Sequence, residues 1–230
     1  MADLIHQNYH ILPIINRFGI FLGFGNKTIE QICNEKNINI DFFLEIVNVF
    51  NDKEYFPLSD SEKYSFKVLI DYLTKSHEYF LNVKLKNIEQ KIDKLIDICE
   101  NNSKDIKLIK NFYLEYKTEL FEHIKYENET IYPYVLWLSE NEGKLMKKTD
   151  KYNFRLAEYI DNHTNIEEKI FDLKNLMIKY LKLPIHIELS NEILFELFDF
   201  EKDIFDHQNL EEKILIPKAM KLEQQIFENK

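Results

Sequence analysis

Glycine and proline are scarce in this sequence, with 4 and 5 residues respectively among 230. A fold built from many short strands needs turn-forming residues at frequent intervals, so this scarcity argues against it. Long stretches rich in Lys, Glu, Ile and Leu fill much of the chain, and these residues favour helices or the apolar stripes of helices. We therefore predict an all-α protein.

Cysteine is also scarce, and the sequence has neither a net positive charge nor a long apolar run. The two cysteines, Cys33 and Cys99, share no motif, which favours a reducing compartment over a disulfide scaffold. A net charge of −10 without any run of Lys or Arg argues against a nucleic-acid partner. No signal-peptide pattern and no apolar run of about 18 residues is present, so we expect a cytoplasmic protein without a membrane partner.

The positions of the turn residues divide the chain into two predicted domains. Residues 1–57 hold three of the four glycines and several short helical patterns, with Thr28 and Asp41 as predicted N-caps, so we expect a small N-terminal helical domain. Residues 58–230 are predicted to hold four long helical segments, at 61–99, 104–140, 150–181 and 189–226. Short connections place neighbouring helices antiparallel, which predicts an up-down-up-down four-helix bundle.

Histidines are distributed evenly over the predicted bundle. Each long segment carries one histidine in its apolar stripe, namely His77, His123, His163 and His207. The intervals between them are roughly equal, and a helix rises about 1.5 Å per residue, so antiparallel helices would bring the four imidazoles to a similar depth. The pattern indicates a cluster of imidazoles in the core.

The spacing His-x3-Glu-x5-Pro occurs twice, as His123, Glu127 and Pro133 and again as His207, Glu211 and Pro217. Residues four apart share one face of a helix, so each histidine presents its imidazole beside a carboxylate. A buried, unpaired carboxylate costs several kcal/mol, and a metal pair would supply the missing positive charge. We therefore predict a site with four imidazole and two carboxylate ligands, in which the carboxylates bridge two metal ions. A purely structural polar core is the alternative interpretation.

Three further carboxylates lie four residues from a predicted histidine ligand, namely Glu119, Glu167 and Asp203. At that spacing they face the same way as the histidines and could accept hydrogen bonds from imidazole N–H groups. The alternative is that they are partly solvated residues at the edge of the apolar stripe.

The order His, His-x3-Glu, His, His-x3-Glu along four helices resembles the hemerythrin-like, or HHE-type, family of non-haem di-iron proteins. The resemblance covers roughly residues 60–226, with "SHEYF", "HIKYE", "NHTNIE" and "HQNLE" at the matching places. It implies two iron ions held by the six residues above, with Glu127 and Glu211 as the bridging carboxylates. Mn or Zn is compatible with the same ligand types.

The N-terminal stretch "INRFGIFLGFGNKTIEQICNEKNI" is similar to the small helical domain of iron–sulfur cluster repair proteins. That family carries two adjacent cysteines in the turn, where this sequence has Gly23 and Phe24. The resemblance implies repair of damaged iron–sulfur clusters under oxidative or nitrosative stress, with O2 or NO as ligand and iron–sulfur proteins as partners. Two alternatives are a non-catalytic O2 or NO sensor or store, and an interaction bundle whose core holds Zn or no metal.

Overall fold

A computed structural model describes residues 1–51, 55, 64–99, 104–144, 156, 159, 166–181 and 186–227. The regular structure of these residues is helical and includes no strand, which confirms the all-α prediction. The α-helices are α1 (Ala2–Gln7), α2 (Ile11–Arg17), α3 (Ile29–Lys36), α4 (Ile40–Asn51), α5 (Phe66–Tyr79), α6 (Leu85–Ile98), α7 (Lys104–Tyr126), α8 (Tyr132–Glu140), α9 (Ile166–Tyr180), α10 (Ile187–Leu210) and α11 (Ile216–Phe227). Three π-helical segments separate some of them, namely π1 (Phe80–Lys84), π2 (Glu127–Ile131) and π3 (Glu211–Leu215).

Each π segment joins two α-helices without a break. As a result, helical structure runs from Phe66 to Ile98, from Lys104 to Glu140 and from Ile187 to Phe227. These ranges correspond closely to three of the four predicted long segments, and the described part of the fourth is α9. Among the described residues, no helix combines the length and the apolar character that a membrane span requires.

Local hydrogen bonds explain where the N-terminal helices begin. Thr28 forms a capping box at α3, because its Oγ1 accepts from the Gln31 N–H at 3.1 Å and its own N–H donates to Gln31 Oε1 at 2.9 Å. This confirms the predicted cap. At α4 the prediction of Asp41 was wrong: Asn39 Oδ1 accepts from the Phe42 N–H at 2.8 Å, so the helix begins two residues earlier than predicted.

The first of two compact units comprises Met1–Ser76, Ile131–Tyr159 and Asp206–Lys230. The helices of residues 1–51 bury apolar side chains in the same core as Leu69 and Leu73 of α5. Aromatic rings form part of this core, and the centroids of Phe18 and Tyr72 lie 5.0 Å apart. The predicted domain boundary between residues 57 and 58 lies outside the described residues.

The second compact unit comprises His77–Thr130 and Ile160–Phe205. Its core is built from large aromatic and aliphatic side chains, and the rings of Phe80 and Phe200 meet edge to face at 5.5 Å. The buried Tyr113 hydroxyl donates to the carbonyl oxygen of Leu85, which ties α7 to the start of α6. Burial in this core raises the pKa of the Tyr113 phenol far above its ordinary value, so the group stays protonated.

Candidate metal centre

Three of the predicted metal ligands lie close to a point where α-helix gives way to π-helix. His77 is three residues before π1, and Glu127 and Glu211 are the first residues of π2 and π3. A π segment bonds each N–H to the carbonyl five residues back and widens the turn, so it changes the directions of the side chains that follow. Such segments are rare and often occur at functional sites. Their position here distinguishes these residues from an ordinary apolar stripe.

Glu127 lies between two imidazoles. Its Oε2 is 3.3 Å from His77 Nε2, and its Oε1 is 2.9 Å from His123 Nε2. The carboxylate is fully buried, and His77 is only 2% exposed. Each oxygen of the Glu127 carboxylate therefore faces one imidazole nitrogen, so each oxygen–nitrogen pair could bind a cation.

The other nitrogen of His77 has a defined contact as well. His77 Nδ1 lies 3.0 Å from the Oδ1 of Asn128, the residue that follows Glu127 in π2. When the amide oxygen accepts a hydrogen bond from Nδ1–H, the lone pair of the neutral imidazole is on Nε2, the atom that faces Glu127. This contact favours the tautomer that a metal ligand requires.

Glu211 is positioned by its own helix and by a tyrosine. Its Oε1 lies 3.5 Å from His207 Nε2 on the preceding turn. The hydroxyl of Tyr132, the first residue of α8, donates to the same oxygen at 2.6 Å. Glu211, His207 and Tyr132 are all buried. The carboxylate thus has one side chain that limits its rotation and one imidazole beside it.

Four of the six predicted ligands form two buried imidazole–carboxylate pairs, His77 with Glu127 in one compact unit and His207 with Glu211 in the other. Taking two carboxylates out of water costs several kcal/mol each unless positive charge or hydrogen bonds compensate them. Imidazole and carboxylate are ligand types that suit iron, manganese or zinc. The residues therefore fit a metal site.

The remaining predicted residues have different surroundings. His123 contacts Glu127, as described above, and its side chain is 14% exposed. His163 lies outside the described residues, and Glu167 belongs to α9, although its side chain is not described. Glu119 is exposed and accepts a hydrogen bond from Lys169. Asp203 is buried at 8% exposure.

Sequence reasoning missed the π segments and the two polar side chains that contact ligands, Asn128 and Tyr132. A signal for the π segments was nevertheless present. Pro133 and Pro217 each stand at the second position of the α-helix that follows a π segment. Proline has no N–H and its ring clashes with the carbonyl four residues back, so a regular helix does not tolerate it in its interior. A proline six residues after each glutamate therefore marks an irregular turn.

Comparisons with known proteins identify distant relatives. The chain is 20% identical over 224 residues to an iron–sulfur cluster repair protein ScdA of Staphylococcus haemolyticus, and the match covers 95% of this chain and 96% of the relative. Proteins of the same name from two strains of Staphylococcus epidermidis match with the same identity and coverage. No protein-family model matches the chain.

Proposed function

We propose that this chain is a non-haem di-iron protein of oxidative and nitrosative stress defence that takes part in the repair of damaged iron–sulfur clusters. The observation that carries the proposal is the presence of two buried imidazole–carboxylate pairs, His77 with Glu127 and His207 with Glu211. Support also comes from relatives that are named iron–sulfur cluster repair proteins and match along nearly the whole chain. Iron–sulfur proteins are the proposed partners.

The proposed architecture is an up-down-up-down four-helix bundle over residues 58–230, preceded by a small helical domain over residues 1–57. The helical runs from Phe66, Lys104 and Ile187 would be three of the bundle helices, and α9 would belong to the fourth. His163 would then complete the set of imidazoles from that fourth helix. Antiparallel neighbours joined by short connections are the usual arrangement of such bundles.

The proposed ligand set has four imidazoles and two carboxylates, supplied by His77, His123, Glu127, His163, His207 and Glu211. Two iron ions bound there would supply electrons and open coordination positions for O2 or NO, which are the proposed small ligands. The protein's own contribution is the placement of the ligands. Glu127 and Glu211 would neutralise the cations, and the burial of both carboxylates limits access of water.

A non-catalytic O2 or NO sensor or store is the second candidate function. The N-terminal turn carries Gly23 and Phe24 where the repair family that this segment resembles has a cysteine pair. Cys33, the nearest thiol, is fully buried, and burial raises its pKa, so it is poorly suited to redox exchange at the surface. This absence of a reactive thiol pair at the turn favours gas binding without cluster repair.

The decisive experiment combines metal analysis with a repair assay. We expect wild-type protein, reconstituted anaerobically with ferrous iron, to retain close to two irons per chain and to restore activity to an iron–sulfur enzyme inactivated by NO. Glu127→Ala and Glu211→Ala should lose both properties, because each removes a carboxylate that balances the cations. His6→Ala, which changes an exposed residue of α1, is the control and should behave as wild type.

The outcomes separate the two candidate functions. A protein that retains iron and binds NO but restores no enzyme activity would support the sensor or store. A wild-type protein that retains no iron after reconstitution would refute both.

A further inference from the structure

Segment π2 and Tyr132, the residue that follows it, contain one predicted ligand and two further polar side chains that contact predicted ligands. Within residues 127–132, Glu127 faces His77 and His123, Asn128 contacts His77, and Tyr132 contacts Glu211. Because a π turn aligns residues five apart, it brings Tyr132 toward the face that Glu127 occupies, which a regular α-helix would not do. The irregular turn therefore directs Asn128 and Tyr132, which are not predicted ligands, toward two residues that are.

The second copy of the spacing lacks these two side chains. The residues that correspond to Asn128 and Tyr132 are Glu212 and Ile216. Glu212 accepts a hydrogen bond from Gln208 at 2.8 Å, and Ile216 is a buried apolar residue. Both copies contain the π segment, so the π geometry alone does not account for the polar residues of the first copy. The presence of Asn128 and Tyr132 in the first copy therefore needs a separate explanation.

Each contact restrains a different degree of freedom. Asn128 Oδ1 at 3.0 Å from His77 Nδ1 selects the ring orientation and the tautomer that leaves Nε2 as the ligand atom. The Tyr132 hydroxyl at 2.6 Å from Glu211 Oε1 restrains the carboxylate and withdraws charge from one of its oxygens. Groups that orient ligands in this way commonly change metal affinity by about 10–100-fold when they are removed.

We propose that Asn128 and Tyr132 are positioning residues of the metal centre, Asn128 acting through the His77 imidazole and Tyr132 through the Glu211 carboxylate. This inference rests on the proposed function, because it requires that the two ligands bind a cation. The first copy of the repeated spacing thus orients two ligands, His77 and Glu211, from two other helical runs as well as supplying its own.

The test measures the affinity for ferrous iron alone, added anaerobically in competition with a chromophoric chelator. We expect Tyr132→Phe and Asn128→Leu each to weaken iron binding by about 10–100-fold. Asn128→Asp keeps an acceptor oxygen toward His77 Nδ1 and should bind more tightly than Asn128→Leu. A second readout is the near-ultraviolet charge-transfer absorption of the air-oxidised protein, which should shift in Tyr132→Phe because Glu211 has lost its hydrogen bond.

Two matched controls distinguish positioning from general packing. The Tyr134 hydroxyl also donates to a carboxylate, Glu223 Oε1 at 2.5 Å, so Tyr134→Phe removes a similar bond from a residue that is not a predicted ligand. Asn82 lies in π1, where its Oδ1 accepts from Lys86 at 3.3 Å, so Asn82→Leu makes the same change in another π segment. Both controls should keep wild-type iron affinity and absorption.

The result that overturns the inference is wild-type affinity and an unchanged spectrum in both Tyr132→Phe and Asn128→Leu, in a wild-type background that binds iron. Equal losses in the control variants would also overturn it, because the effect would then be one of packing. If the wild-type protein itself binds no iron, the proposed function fails and this inference fails with it.

Discussion

At the scale of single residues, Glu89 of α6 shows how charge links neighbouring helices. Its carboxylate oxygens accept from Lys117 Nζ at 2.5 Å and from Lys110 Nζ at 3.0 Å, both in α7. The hydrogen bond from Lys117 lowers the pKa of Glu89, against the opposing effect of burial, and Lys110 lowers it further. The interaction ties together two helices of one compact unit.

The depressed pKa predicts an acid-dependent loss of stability. A carboxylate whose pKa is lower in the folded state contributes stability above its unfolded value, about 4.3, and loses it as the pH falls through the folded value. We expect Glu89→Gln to lower the free energy of unfolding at pH 7 by on the order of 1 kcal/mol, measured by urea denaturation. The difference from wild type should shrink below about pH 4.

A matched control exists in the N-terminal segment. Glu35 Oε2 forms an ion pair with Lys27 Nζ at 2.6 Å, but both side chains are about half exposed. Water screens such a pair, so Glu35→Gln should change the free energy of unfolding little at any pH. Similar losses for the two variants at pH 7 would contradict the explanation by burial and paired hydrogen bonds.

At the scale of helices, the three π segments show how a local irregularity can direct side chains. Two of them, π2 and π3, begin at a predicted glutamate ligand. Each is followed directly by an α-helix whose second residue is proline. The widened turn accommodates a residue that lacks an N–H, and the proline in turn disfavours a return to regular helix there. The third, Phe80–Lys84, contains no proline and is followed by none in α6, so proline accompanies these segments without being required for them.

The capping box of α3 gives a prediction at the same scale. Thr28→Ala removes the acceptor of the Gln31 N–H and should destabilise the protein by about 1 kcal/mol, measured by urea denaturation. Thr118→Ala is the control, because the Thr118 hydroxyl donates to the Leu114 carbonyl within a helix and is exposed. That change should be neutral or slightly stabilising. A loss in Thr118→Ala equal to that in Thr28→Ala would refute the role assigned to the cap.

At the scale of the whole molecule, the buried acidic site predicts that metal binding and folding are coupled. A ligand that binds only the native state stabilises it by about 2.7 kcal/mol at one hundred times its Kd. For a chain of this length we expect anaerobic ferrous iron to raise the melting temperature of metal-free protein by roughly 5–10 °C. Glu127→Gln removes a buried charge that lies beside both His77 and His123 and should abolish most of the shift.

The thermal measurement has its own control. His10 immediately precedes α2, far in sequence from the predicted ligands, and its ring centroid lies 4.2 Å from that of Tyr9. His10→Ala should leave the iron-induced shift intact. An equal shift in wild type and in Glu127→Gln would mean that iron stabilises the protein from another site.

The sequence alone predicted the features that depend on residues close together in the chain. Scarce glycine and proline predicted helices, and the prediction of Thr28 as the N-cap of α3 was correct, because these features depend on residues within one or two turns of each other. The four-residue spacing within His123 and Glu127 likewise predicted that imidazole and carboxylate would meet, and their atoms lie 2.9 Å apart. The cap of α4 was misassigned because Asn39 and Asp41 are both good caps, and only backbone geometry distinguishes them.

Contacts between residues far apart in the chain depended on the packed structure. Asn128 meets His77 across 51 residues, and Tyr132 meets Glu211 across 79. Periodicity assumes regular 3.6-residue turns, so it cannot say which side chains an irregular π turn brings to a site. Spacing along the chain thus indicated which residues could bind a metal, whereas the folded backbone decided which side chains contact them.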